Sequence, residues 1–152
     1  MAKAAIAPAL RFAVIERAGK RCEYCQRPDS QELNAYPHEV DHVRARKHGG
    51  QTTAENLAYA CFDCNRHKGT DLSSIDPRTG KIVQLFNPRM HRWSAHFRLH
   101  MEGTITSRTA AGRATMQLLH FNDPIRVPLR AALLKAGELG LKRSRRSRGT
   151  PR

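Results

Sequence analysis

The sequence predicts an α+β chain. Two short strands and a helix close on a metal-stapled core, helices stand before and after that core, and a disordered basic tail follows. Three observations predict it. All four cysteines lie in two C-x-x-C pairs, Cys22/Cys25 and Cys61/Cys64. The residues between the pairs carry strand and turn signals rather than long periodic segments. Outside the pairs, apolar residues recur at helical spacing. A chain of 152 residues is one domain's worth,. With 39% hydrophobic and 6% aromatic residues its core is thin, and a covalent or metal staple would compensate,. The expected organisation is a single domain over residues 1–141, with its core at 20–70, an N-terminal helix at 8–18 and a helical extension at 76–141. A disordered tail at 142–152 completes it.

Each element has its own signal. Leu10, Val14 and Ala18 recur every four residues, with Phe12 and Ile15 widening the stripe,. Pro8 suits a first helical turn and Gly19 a helix end. His38 to Val43 alternates after Pro37, as a short strand does, and His48-Gly49-Gly50-Gln51 is a turn,. Asn56 to Ala60 is a second short strand, and Cys61 to Lys68 a helix that Gly69 stops. Asp76-Pro77-Arg78-Thr79-Gly80 is a turn, with an extended run from Lys81 to Phe86,. Trp93, Phe97 and Met101 read as core residues, on a helical face or in an extended segment. Ala110 to Phe121 and Val127 to Leu139 read as helices broken at Asn122-Asp123-Pro124,. His48, His91, His96, His100 and His120 show no ligand spacing.

A C-x-x-C pair aims two thiolates at one ion, and two pairs complete a tetrahedral set. Thiolates are soft donors and favour zinc. Four protein ligands leave no open position, so Cys22, Cys25, Cys61 and Cys64 are expected to hold a structural zinc. A redox or disulfide role fits a cytosolic chain poorly.

The formal net charge is +14. Lys142, Arg143, Arg145, Arg146, Arg148 and Arg152 crowd the tail, yet removing those six cations leaves +8 on residues 1–141. A body this basic attracts polyanions, and nucleic acid is the expected partner. No apolar run approaches the roughly 20 residues of a membrane span. The first residues do not read as a signal peptide, so a cytoplasmic location is expected.

The segment His38-Glu39-Val40-Asp41-His42-Val43 admits two readings. As H-E-x-x-H it matches zinc peptidases, whose chemistry needs a helix. Pro37 before it, a period near two and the Gly-Gly turn after it oppose a helix. The second reading is strand, turn, strand and helix closing on a hard cation. Phosphodiester hydrolysis needs a base for water and a cation for developing charge. Histidine supplies the first, and Asp or Asn oxygens hold a magnesium-like ion. On a strand Asp41 and His42 point to opposite faces, so they take different roles.

Cysteine pairs flanking Val40-Asp41-His42 and Asn56-Leu57, with Asn65 directly after the last cysteine, resemble the HNH endonuclease family over residues 20–70. That resemblance implies a ββα-metal site that cuts DNA with Mg2+ or Mn2+, leaving 5′-phosphate and 3′-hydroxyl ends. It implies that Asp41 binds the metal, His42 is the general base, and Asn56 braces the loop and orients the base. Asn65 is the last metal ligand, with His67, two residues on, as a substitute or addition. A proline common after the Asp-His pair is missing. Arg44, Arg46 and Lys47 stand there instead and are expected at the phosphate, joined by Arg66 and Lys68,.

Overall fold

The computed structural model describes residues 5–139. The first helix, α1 (Pro8–Arg17), begins on Pro8, whose missing N–H is one of the donors a first turn leaves unpaired,. Val14 is its buried contact, packed with Val40, Leu57 and Tyr59. Phe12, expected to widen the buried stripe, is 65% exposed and lies on the solvent side. At the C-terminal end, Arg17 donates to the carbonyls of Ala54 and Leu57, both at 2.7 Å, which ties α1 to the strand pair.

That pair is β1 (Glu39–His42) and β2 (Leu57–Ala60), antiparallel with His42 opposite Leu57 and Asp41 opposite Ala58. Their connection carries two 3-10 turns, Arg46–His48 and Ala54–Asn56. Helix α2 (Phe62–Lys68) follows β2 after one residue. Cys61 caps it, its Sγ accepting from Cys64 N, and Gly69 ends it. The ββα unit expected from the sequence is therefore present.

The rest of the described chain builds two more hairpins and three helices. Strands β3 (Ser73–Ile75) and β4 (Ile82–Gln84) pair across the Asp76–Gly80 turn. A single turn α3 (Trp93–His96) leads into β5 (Phe97–Leu99), which pairs with β6 (Ile105–Ser107). Trp93 and Phe97 join the core as expected, but Met101 sits in the β5–β6 turn and is 62% exposed. Helix α4 (Ala110–Leu118) is capped by Thr109, which accepts from Gly112 N at 3.0 Å. Helix α5 (Arg126–Lys135) closes the described chain.

Phe86, Phe97 and Phe121 are fully buried and meet edge-on or tilted, at 5.1 Å for Phe86–Phe97 and 5.4 Å for Phe97–Phe121. Burying each such ring contributes roughly 2–3 kcal/mol. They share one cluster with all four cysteines and with Leu133 and Leu134 of α5. Trp93 fastens this cluster to the first cysteine turn, its indole N–H donating to Tyr24 O at 2.7 Å. No helix among the described residues is long and apolar enough to cross a membrane. The expected basic tail lies outside the described residues.

Candidate active site and metal centre

The two cysteine turns bring their sulfurs together, the second turn directly following β2. All four Sγ atoms are buried and lie within 4.8 Å of one another. Cys25 Sγ and Cys61 Sγ are 3.6 Å apart. Four bonds of about 2.3 Å to one tetrahedral ion would set sulfurs about 3.8 Å apart, so the cluster fits zinc. Each turn uses the same local device: Cys25 N donates to Cys22 Sγ and Cys64 N to Cys61 Sγ, both at 3.4 Å. Burial pushes the Cys22 and Cys64 thiols up. Hydrogen bonds from the other three sulfurs hold Cys25 well down.

Between β1, the first 3-10 turn and α2 lies an open cleft of about 460 Å³, lined by Asp41, His42, Arg46, Lys47, Asn65 and Arg66 among others. Strand β1 delivers Asp41 and His42. Helix α2 delivers Asn65 and Arg66. The first 3-10 turn delivers Arg46 and Lys47. Asp41 shares its strand face with Glu39, while His42 turns to the buried side with Val40,. Because His42 ends the strand, both residues still reach the cleft, and His42 Nδ1 is 3.9 Å from Asp41 Oδ1. His42 Nε2 is bonded to Thr52 Oγ1 at 2.8 Å.

Asn56 stands behind the cleft and holds the loop. Its Oδ1 accepts from Arg44 N at 3.0 Å, and its Nδ2 donates to Arg44 O at 3.0 Å and Gln51 O at 2.8 Å. The side chain in direct contact with His42 is Thr52, one residue beyond Gln51. Sequence reading missed it, and only its place in the loop after the Gly-Gly turn hinted at it. Glu39 was likewise missed as part of this site: its carboxylate accepts from Asn65 Nδ2 at 3.1 Å.

Three expectations change. Lys68 is not a phosphate contact in this arrangement. It is 5% exposed, and its Nζ donates to Val43 O at 2.9 Å. Burial pulls its pKa down while the Asp41 charge pulls it up. His67 does not share the cleft with Asp41, since two residues along a helix is more than half a turn. Its ring lies 4.2 Å from that of His120, and burial followed by His120 lowers its pKa. Arg44 is exposed but leans away from the cleft lining, its Nε donating to His48 O at 2.6 Å. Strand geometry also disposes of the peptidase reading, because His38 Nε2 is taken up by Arg27 O at 2.8 Å.

The fold and site define a ββα unit beside a four-cysteine cluster that fits zinc, with an acid, a histidine and an amide gathered in a basic cleft. Residues 22–71 match the family model described as HNH endonuclease, so that segment resembles a nuclease-type domain. The match takes in the four cysteines, both strands and α2, and leaves α1 and everything from β3 onward outside it. Comparison with curated proteins and with solved structures found no significant match.

Proposed function

We propose that this protein is a divalent-metal-dependent endonuclease that hydrolyses DNA phosphodiester bonds, acting in the cytoplasm. The observation that carries the reading is the convergence of Asp41, His42 and Asn65 with Arg46, Lys47 and Arg66 on one cleft. Asp41 and Asn65 offer the hard oxygen donors that magnesium or manganese takes. When bound there, the ion would supply Lewis-acid neutralisation of charge on the phosphate and the leaving 3′ oxygen.

The protein's own part follows from its hydrogen bonds. Thr52 Oγ1 accepts from His42 Nε2–H in the tautomer we assign, which leaves the Nδ1 lone pair toward Asp41 and the cleft,. Nδ1 is then the atom that takes the proton from attacking water. Asn56 acts through the loop that carries Thr52, so it is a positioning residue. Glu39 engages the Asn65 amide nitrogen, which turns the amide oxygen to the cation,. Arg46, Lys47 and Arg66 hold the phosphates on either side of the scissile bond.

The test is cleavage of supercoiled plasmid by purified protein with Mg2+ or Mn2+, against EDTA, at several salt concentrations. Divalent-dependent nicking or linearisation is expected, with DNA binding that weakens steeply with salt. Tight DNA binding without cleavage under any metal would overturn the enzyme and leave a zinc-organised DNA-binding protein.

A further inference from the structure

Helix α5 lies beyond the HNH-matched segment, yet it sends one arginine onto the cysteine centre and buries a second beside it. Arg126 is 6% exposed and Arg130 is 3% exposed. Arg126 Nη1 donates to Leu119 O at 2.6 Å and His120 O at 3.0 Å. Its Nη2 turns to sulfur, 3.1 Å from Cys64 Sγ and 3.9 Å from Cys61 Sγ. Arg130, one turn on, donates from Nε to Gly103 O at 2.7 Å, and from Nη2 to Phe121 O and Asn122 Oδ1. Those partners are neutral. A small gap lined by Cys25, Arg126 and Arg130 separates it from the cluster.

Two buried cations need anions close by, because an uncompensated charge inside a protein is costly. Four neutral thiols would not meet that need. Four thiolates around one Zn2+ carry a net charge of about −2, which two guanidinium groups balance. An N–H donor on a metal-bound thiolate also withdraws electron density from sulfur and covers it from electrophiles.

We propose that Arg126, supported by Arg130, is the counter-charge of a zinc-loaded four-cysteine centre. Zinc loading thereby holds α5 against the HNH core. The C-terminal extension is then the lid of the zinc site, and metal binding and α5 docking are one linked equilibrium.

The experiment uses the full-length chain. Zinc transfer to a chromophoric chelator is timed for wild type, Arg126→Met and Arg126→Lys, with zinc content checked first by elemental analysis. Arg126→Met is expected to release zinc about 10–100-fold faster, the range outer-shell partners usually command. Arg126→Lys should recover part of the loss. Release from Arg126→Met within about twofold of wild type overturns the role, since outer-shell partners are worth more than that. Should Arg126→Met fail to fold, wild type still decides. Amide hydrogen exchange in α5 is compared with zinc bound and after chelation. Lost α5 protection on chelation supports the linkage, and unchanged α5 exchange while α2 opens overturns it. Wild-type protein that takes up no zinc overturns the metal centre itself, and the inference with it.

Discussion

Gly50 sits where the loop after β1 doubles back, and replacing it by alanine measures how much the site depends on that loop. A Cβ built on Gly50 would lie 1.7 Å from Arg44 O, 2.6 Å from Arg44 C and 2.9 Å from Asn56 Nδ2. Two of those atoms are backbone, so no side-chain rotation relieves the contact. The Arg44 carbonyl must retreat by more than about 1 Å to reach ordinary van der Waals separation. That movement breaks the bond it accepts from Asn56 Nδ2 at 3.0 Å, and strains the one from Gly50 N to Ala45 O at 3.1 Å. Disturbing the Asn56 brace also threatens its bond to Gln51 O. At about 1 kcal/mol for each of two or three bonds, Gly50→Ala is expected to cost about 2–3 kcal/mol. For a domain of this size that is on the order of 5–10 °C in Tm. Thr52 rides on the same loop and holds His42 at 2.8 Å, so cleavage should fall with stability. Thermal melts and plasmid nicking on the same zinc-loaded preparation read both. A variant with wild-type Tm and wild-type nicking would refute the loop argument.

Two further outcomes follow from the same geometry. Asp76 is fully buried and takes the forked Nε and Nη2 of Arg113, both at 2.9 Å, which holds its carboxyl well below the usual carboxylate range. A depressed folded pKa stabilises the protein above the unfolded value near about 3.9, and that stability is lost as pH falls through the folded value. Asp76→Asn should therefore lower Tm at pH 7, with a deficit that shrinks on acidification below about pH 4. A deficit that stays constant down the pH series would contradict the ion-pair account. Separately, Asn65→Ala should weaken Mn2+ binding, measured by calorimetry on the DNA-free protein, by at least about tenfold, whereas His67→Ala should leave it nearly unchanged. The reverse order would return the last ligand position to His67.

The ββα unit was legible because its signals are local and redundant. The C-x-x-C spacing, the alternation around Asp41 and the Gly69 stop each require only neighbouring residues. β3, β6 and the division of residues 93–107 into a turn of helix and a hairpin were not legible. Strands of three residues carry too little periodicity, and pairing such as Phe97 with Ser107 is decided by long-range packing,. At the site, residue types were readable but directions were not. Lys68 looks like any helical cation until Val43 O and the Asp41 charge draw it inward. Thr52 has no motif of its own and matters only because a loop folds it onto His42. Arg126 and Arg130 lie more than 60 residues from the last cysteine pair in sequence, so nothing but the fold joins them to it.

The most direct test of the central claim compares nicking rates of wild type and His42→Ala under Mg2+, at matched zinc content and matched DNA affinity. Removal of a general base is expected to slow cleavage by about 10²–10⁴-fold while folding, zinc and binding stay intact. A His42→Ala protein that cuts at the wild-type rate would contradict the assignment of this cleft as the catalytic centre.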